Sequence, residues 1–251
     1  MVEISFTQNS GKVDYAQQDA IWSGERSFQK KDLATTTIIL DKQACVAIAD
    51  GVAVSPQPHL ASLFVVERLA MLVRSSALNS RTVRNVHADL CNRFARGKTL
   101  GSSATLVAAY LSDEGCQIVN VGDSRAYLIR EDGSFVQMSR DHTVISDFRM
   151  NELASDDIEY ASFYDALAEC LIADHNEDQF LINQTRCQLS PNDSILLCSD
   201  GVHDVLGSES LRRLYSQSLG THSQVEIWRN AVLKAGATDN FSMILLRLVG
   251  A

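Results

Sequence analysis

A set of aspartates shares one position in the sequence: each lies at an end of an apolar, strand-like segment, and several adjoin a glycine. Asp50-Gly51 follows CVAIA and Asp200-Gly201 follows SILLCS. Carboxylates gathered at the ends of neighbouring buried strands repel one another, and a divalent cation removes that conflict. Mg²⁺ and Mn²⁺ prefer oxygen ligands, so the pattern predicts a metal site. The candidate carboxylates are Asp19, Asp50, Asp123, Asp200 and Asp239.

The same residues have an ordinary alternative interpretation. Asp-Gly after a strand is common turn chemistry, and for any one of these pairs alone a turn is the favoured interpretation. Their recurrence at one kind of strand end favours the metal site. The glycine beside Asp50 also permits close backbone approach, so the Gly51 carbonyl is a further candidate ligand.

Apolar segments rich in β-branched residues have the length of strands and must position these acids. Short, polar turns join many of them, which favours antiparallel pairing, because parallel crossovers need a dozen or more residues. Residues 105–139 are predicted to form a meander of about four strands. The predicted strands are 35–40, 45–49, 105–111, 117–121, 126–130, 135–139, 194–199 and 241–248.

Helical periodicity occurs in pairs of segments between the runs of strands. The predicted helices are 59–78, 81–97, 208–219 and 223–236. This alternation predicts an α+β fold: two packed antiparallel β-sheets, a β-sandwich, flanked by helix pairs on both sides. We expect a single domain over residues 1–251, with a partly helical insertion at about 144–182.

Composition limits the classes of partner. The formal net charge is −9, which argues against non-specific binding to nucleic acid or to an anionic membrane. The six cysteines form no C-x-x-C pair, so we expect reduced thiols rather than disulfides or zinc. No signal peptide or membrane-spanning segment is expected, and the expected compartment is the cytoplasm.

The wording and order of several segments resemble the metal-dependent protein phosphatases of type 2C, particularly the compact bacterial members. Of these segments, VGDSRAYL and LLCSDG are long and specific, and the matches extend over nearly the whole chain. They are QQDA (17–20), AIADG (47–51), GSSAT (101–105), VNVGDSRAYLIR (119–130), SRDHT (139–143), LLCSDGVHD (196–204) and TDNFSMILL (238–246).

The resemblance implies a site with two Mn²⁺ or Mg²⁺ ions. By similarity, Asp50 bridges both ions and the Gly51 carbonyl binds one of them. Asp200 and Asp239 bind the other. Asp19 stands near that second ion, as a direct ligand or through water.

A third, weaker cation is implied at Asp123, which matches an aspartate of bacterial members. The implied reaction is hydrolysis of phosphoserine or phosphothreonine by a metal-activated water, with no phosphoenzyme intermediate. The implied partner is a phosphorylated protein, a kinase or its target, in bacterial signalling that opposes a kinase. We expect a monomer.

Other motif residues receive structural interpretations. Ser102, Ser103 and Thr105 are expected to pack inside the sandwich. Arg125 is expected to make structural hydrogen bonds, and Asp204 to stabilise the loop that follows Asp200.

Two departures from the family pattern concern the groups around the metals. The segment DGVAVSPQPH (50–59) lacks the usual glycine-rich turn and nearby histidine. His59 is then a candidate general acid, with a helix-start residue as the alternative. Asp14 stands where the family commonly has a phosphate-binding arginine, which leaves Lys12 or Arg26 as candidate phosphate-binding residues.

These departures motivate a second hypothesis, a catalytically weak or inactive phosphatase-like module that binds phosphoproteins. Retention of all the candidate metal aspartates argues against it. A third hypothesis is an unrelated sandwich in which the aspartates only form turns.

Overall fold

The computed structural model describes residues 1–12, 16–41, 43–73, 77–151 and 166–250. Within these ranges the strands are short to medium in length, and the longer helices lie in pairs between groups of strands. They are β1 (Val2–Asn9), β2 (Ala20–Trp22), β3 (Ser27–Phe28), β4 (Asp32–Leu40), β5 (Ala44–Ala49), β6 (Ser103–Ala104), β7 (Leu106–Ser112), β8 (Gly115–Val121), β9 (Arg125–Ile129), β10 (Phe135–Gln137), β11 (Leu171–Ile172), β12 (Asn183–Cys187), β13 (Ser194–Cys198) and β14 (Phe241–Leu248).

The strands build two six-stranded antiparallel sheets. The first has the order β10-β9-β13-β14-β1-β4 and the second the order β12-β8-β7-β5-β2-β3. Their inner faces share one apolar core that contains Phe6, Ile48 and Ile244 among its buried residues. Strands β6 and β11 form a separate two-stranded sheet.

Helices cover the outer faces of both sheets. α1 (Pro58–Val73) and α2 (Ser80–Phe94) share an apolar cluster with the second sheet, and α4 (Asp200–Arg213) and α5 (Thr221–Ala235) share another with the first. A shorter helix, α3 (Val144–Met150), follows β10. The predicted α+β sandwich with helix pairs on both sides is therefore confirmed. None of the helices in the described ranges has both the length and the apolar character required to cross a bilayer.

The predicted meander over 105–139 is wrong in one respect. Its four strands exist, but β7 and β8 belong to the second sheet and β9 and β10 to the first. The chain changes sheet at Gly122, whose φ of +99° is a conformation that suits glycine. This crossover carries Asp123 between the two sheets.

Besides β2, β3, β6, β11 and β12, which the sequence did not predict, two elements show why the prediction and the structure differ. Strand β1 was not predicted, because its buried positions include Ser5, Thr7 and Gln8, which hide the apolar pattern. Helix α4 begins at Asp200 rather than at 208, and Gly207, at φ +71°, interrupts it.

The insertion predicted at 144–182 contains α3 and β11, which agrees with a partly helical segment. Its residues 152–165 lie outside the described residues.

Candidate active site

The strand register brings the predicted aspartates to one end of the sandwich. Ala20 pairs with Ala49, so Asp19 and Asp50, which directly adjoin them, lie on neighbouring strand ends. Likewise Cys198 pairs with both Met243 and Arg125.

Asp200 follows the C-terminal end of β13, Asp239 precedes β14 and Asp123 precedes β9, so these three acids lie at the same edge of the first sheet. They surround a cavity of about 260 Å³. Its lining residues are Gln18, Asp50, Gly51, Val52, Ala53, Thr105, Asp123, Leu167, Asp200, Asp204 and Asp239.

The turn after β5 is held by hydrogen bonds on both sides of Asp50. Its amide donates to Thr105 Oγ1 at 3.1 Å and its carbonyl accepts from the Thr105 amide at 2.8 Å. The Gly51 amide donates to the Gln18 carbonyl at 3.1 Å. A Cβ on Gly51 would lie 2.6 Å from the Pro58 carbonyl oxygen, so a side chain at Gly51 would displace the start of α1.

Asp200 is the first residue of α4, and its Oδ1 accepts from the Gly201 amide at 2.6 Å. A Cβ on Gly201 would lie 2.0 Å from the Asn240 carbonyl oxygen, which requires glycine there. Asp239 Oδ1 accepts from the Asn240 amide at 2.7 Å. The two loops that carry Asp200 and Asp239 are thus in direct backbone contact.

Asp19 lies behind the cavity wall and is fully buried. Its Oδ2 accepts from Ser199 Oγ at 2.8 Å, whereas its Oδ1 is buried and has no hydrogen-bond partner within the described part of the chain. Burial, with a smaller contribution from the charge of Asp200, raises the pKa of Asp19 to about 7. A buried, unpartnered carboxylate oxygen is costly unless a cation or proton compensates it.

Asp50 and Asp200 show the same conflict more directly. Burial, and then the charge of Asp200, raises the pKa of Asp50 well above its ordinary value. Burial also raises the pKa of Asp200, whose carboxyl group interacts directly with that of Asp50. Two carboxylates this close cannot both ionise without a compensating positive charge.

The donor set fits divalent cations. In the described part of the chain, no group of three or more aspartate, glutamate, histidine or cysteine side chains is already arranged to hold a metal ion. The carboxylates instead line a cavity from several sides. The candidate side-chain ligands are all carboxylates, and their charges repel one another. One of their oxygens, Asp19 Oδ1, has no hydrogen-bond partner among the described residues. Such a set of oxygens suits hard ions such as Mg²⁺ or Mn²⁺.

Asp123 occupies the crossover between the sheets. Burial, and next the charge of Asp200, raises its pKa to about 7. The buried His203, which sequence reasoning did not single out, places Nε2 at 3.1 Å from the Asp123 carbonyl oxygen. His203 Nδ1 lies 2.9 Å from Asp204 Oδ1, so one imidazole joins Asp123 to the exposed Asp204.

The structure does not bring the other two candidates, His59 and Arg26, to the cavity. His59 is the second residue of α1, its carbonyl accepts from Gln29 Nε2 at 2.9 Å, and it does not line the cavity. Arg26 lies in the hairpin between β2 and β3, at the end of β2 remote from Asp19, with its guanidinium 5.0 Å from the Phe28 ring centroid. A catalytic role for His59 and a phosphate-binding role for Arg26 stay predictions.

Lys12 is closer to the site. Its amide donates to the Ala237 carbonyl at 2.9 Å, two residues before Asp239, and its side chain is exposed. The backbone of Gly11 is packed against Asp239, because a Cβ there would lie 2.2 Å from the Asp239 carbonyl oxygen. Asp14 lies outside the described residues.

Several residues that support the aspartates were assigned only structural roles or were missed. Ser199 Oγ accepts from the Ser242 amide at 3.0 Å while it donates to Asp19. Asn240 accepts from the Gln18 amide through Oδ1 at 2.6 Å and donates to the Ser10 carbonyl at 2.9 Å. Each of these two residues directly adjoins a candidate metal ligand in the sequence, and this adjacency could have identified them.

Arg125 makes the structural contacts expected of it. Its Nε donates to Asp141 Oδ2 at 2.9 Å and its Nη2 to the same oxygen at 2.6 Å. Its guanidinium is therefore engaged in a partly buried ion pair.

The family model of protein phosphatase 2C matches residues 28–235 of the chain. This match extends over most of the sequence and agrees with the sandwich and its acidic cavity. The chain belongs to the protein phosphatase 2C family.

Relatives with similar sequences are bacterial phosphatases. The serine/threonine phosphatase stp of Listeria innocua is 24% identical over 218 residues, which is 82% of this chain and 85% of that protein. The serine/threonine protein phosphatase PstP of Mycobacterium tuberculosis is 24% identical over 214 residues, 81% of this chain and 40% of that protein.

Solved structures share the fold over the whole chain. The M. tuberculosis phosphatase PstP/Ppp superposes with a TM-score of 0.81 at 19% identity, with 100% of each chain covered. The catalytic domain of PstP in complex with two manganese ions superposes with a TM-score of 0.75 at 19% identity, again with 100% of each chain covered.

Proposed function

We propose that the chain is a metal-dependent serine/threonine protein phosphatase that hydrolyses phosphoserine and phosphothreonine. The observation that carries this proposal is the gathering of Asp50, Asp123, Asp200 and Asp239 around one cavity, with the buried Asp19 behind them. Burial raises the pKa of Asp19 and of Asp50, and Asp19 Oδ1 has no hydrogen-bond partner among the described residues. The family membership and the names of the bacterial relatives support the same activity.

We assign the two-cation site to Asp50, the Gly51 carbonyl, Asp200 and Asp239, with Asp19 beside them. Asp123 is the candidate for a third cation. Mn²⁺ or Mg²⁺ ions bound in the two-cation site would activate a water molecule as the nucleophile and neutralise charge on the phosphoryl group.

The chain's own residues supply the geometry for this chemistry. The hydrogen bonds of Thr105 fix the backbone of Asp50, and the contact between Gly201 and Asn240 fixes the separation of Asp200 and Asp239. Fixed ligands keep charge-stabilising groups in place without reorganisation during the reaction. Among Lys12, Arg26 and His59, Lys12 is the candidate to approach substrate phosphate.

The substrate we propose is a phosphorylated protein, a kinase or a kinase's target, in bacterial signalling. We propose that residues 1–251 act as one domain, as a monomer in the cytoplasm. The catalytically inactive alternative is not favoured by the site, because Asp50, Asp123, Asp200 and Asp239 line the cavity and Asp19 lies buried behind them.

The test is hydrolysis of a phosphothreonine peptide with added Mn²⁺ and with chelator. The native chain and Asp113→Asn, a control at an exposed turn, should show equal Mn²⁺-dependent turnover. Asp200→Asn should abolish it. Binding of Mn²⁺ without turnover by the native chain would favour the binding module, and the absence of both would overturn the proposal.

A further inference from the structure

Thr105 occupies a break between two strands at the cavity wall. It lies between β6 and β7, is 3% exposed and lines the acidic cavity. From the sequence it was expected only to pack inside the sandwich. Its contacts reach two separate parts of the site.

The first contact is with the Asp50 turn. Thr105 Oγ1 accepts from the Asp50 amide at 3.1 Å, and the Thr105 amide donates to the Asp50 carbonyl at 2.8 Å. One residue therefore fixes both backbone polar groups of Asp50. The position of the Asp50 carboxylate depends on these two bonds.

The second contact is with the turn that carries Asp123. Thr105 Oγ1 lies 2.9 Å from Ser124 Oγ, and both hydroxyls are buried. A Cβ on Gly122 would lie 2.7 Å from Thr105 Cγ2, so the methyl group packs directly on this turn. Because Oγ1 accepts from the Asp50 amide, its own proton is available for Ser124.

We propose that Thr105 is a positioning residue that links the Asp50–Gly51 turn to the Asp123 turn through its hydroxyl group. The inference rests on the proposed function, since it concerns how that site holds cations. Groups that hydrogen-bond behind metal ligands typically contribute about 10- to 100-fold to metal affinity. The hydroxyl, rather than the methyl, is the part that sets cation affinity.

The variants separate the hydroxyl from the shape of the side chain. Thr105→Val keeps the methyl contact with Gly122 and removes the hydroxyl, whereas Thr105→Ser keeps the hydroxyl and removes the methyl. Ser124→Ala removes the far end of the link. Ser102→Ala is the matched control, because Ser102 lies in the same segment and is fully buried, and its Oγ has no hydrogen-bond partner among the residues that the structure describes.

The measurement is calorimetric titration of Mn²⁺ into the metal-free protein, with thermal unfolding as a check of folding. Thr105→Val should weaken Mn²⁺ binding about 10- to 100-fold, and Thr105→Ser and Ser102→Ala should stay within about threefold of the native chain. The double variant Thr105→Val/Ser124→Ala should bind no more weakly than Thr105→Val alone, since linked groups are not additive. Excess Mn²⁺ should restore much of the turnover lost in Thr105→Val, which a merely structural defect would not allow.

Native Mn²⁺ affinity in a folded Thr105→Val would overturn the inference, as would equal losses in Thr105→Ser and Thr105→Val. If Thr105→Val does not fold, Ser124→Ala decides: weakened Mn²⁺ binding supports the link and native affinity overturns it. These results differ from failure of the proposed function, in which the native chain itself binds no Mn²⁺ and shows no turnover.

Discussion

The floor and the rim of the acidic cavity are held by different kinds of contact. We define the floor as Asp19, Asp50, Asp200 and the residues that bind them, Thr105 and Ser199. These groups are joined by hydrogen bonds between strand ends of both sheets. The floor is therefore held by the same strands that form the core of the sandwich.

The rim, defined as the cavity-lining residues Val52, Ala53, Leu167 and Asp204 together with the nearby Lys12, consists of loop and helix-start residues with at least partly exposed side chains. One departure from the family pattern, the turn at 50–59, supplies Val52 and Ala53 to this rim. Loops on a rigid scaffold commonly set specificity. From this difference we expect cation binding to depend on the floor and substrate choice to depend on the rim.

The largest expected effect comes from breaking the floor. Asp50→Asn should reduce Mn²⁺-dependent turnover by more than about 100-fold, because even groups behind metal ligands contribute 10- to 100-fold. The variant should fold without metal, since asparagine resembles the protonated Asp50 that the raised pKa favours.

The matched rim variant is Asp204→Asn, whose side chain is 71% exposed. Its Mn²⁺-dependent turnover should fall by less than about tenfold, as expected for the loss of an exposed charge. Initial rates on a phosphothreonine peptide at saturating Mn²⁺ measure both variants. Equal losses in the two would contradict the distinction between floor and rim.

The second prediction concerns the pH dependence of stability in the metal-free chain. Asp19 has an ordinary pKa of 3.8 when unfolded and about 7 when folded. Between these values the folded chain retains a proton that the unfolded chain has lost, so rising pH favours unfolding. This contribution to stability is complete below pH 4 and is lost as the pH approaches 7.

Asp19→Asn removes that dependence. In chelator, the free energy of unfolding of the native chain should fall relative to that of the variant by on the order of 1.4 kcal/mol per pH unit. Urea unfolding at pH 4.5, 5.5 and 6.5 measures the difference. Parallel pH profiles for the two chains would show that Asp19 does not carry a raised pKa.

The floor was largely predictable from the sequence because it follows from strand ends. Asp50 and Asp200 directly follow apolar strands that the residue pattern reveals. Which strand ends lie together depends on the strand register, such as the pairing of Ala20 with Ala49 that brings Asp19 beside Asp50. A single sequence does not contain this information. The resemblance to a family supplied that missing information.

The remainder was less predictable for identifiable physical reasons. The polar side chains of β1 can be buried because they have hydrogen-bond partners that are distant in sequence. Ser5 Oγ, for example, lies 2.7 Å from Thr37 Oγ1. The role of Thr105 depends on its closeness to Ser124, across the crossover. Long-range side-chain contacts of this kind leave no periodic signal in the chain.

The third prediction tests the rim. Lys12→Ala should raise the KM for a phosphothreonine peptide by about fivefold with little change in kcat, since an exposed charge contributes up to about 1 kcal/mol. Arg26→Ala is the control, because its guanidinium lies over Phe28 at the far end of β2. It should leave KM within about twofold of native. A larger effect from Arg26 than from Lys12 would reverse the assignment of the phosphate-binding residue.

The smallest expected effect is at His59. The residue forms the first turn of α1 and does not line the cavity, and the contact that fixes this turn is made by its backbone carbonyl to Gln29. His59→Ala should therefore leave kcat within about twofold, well below the 10²- to 10⁴-fold contribution typical of a general acid. The pH profile of kcat should also keep its basic limb, because a lost general acid would remove that limb. A flattened basic limb together with a 100-fold fall in kcat would place His59 in the reaction, and would mean that part of the catalytic machinery lies outside the floor.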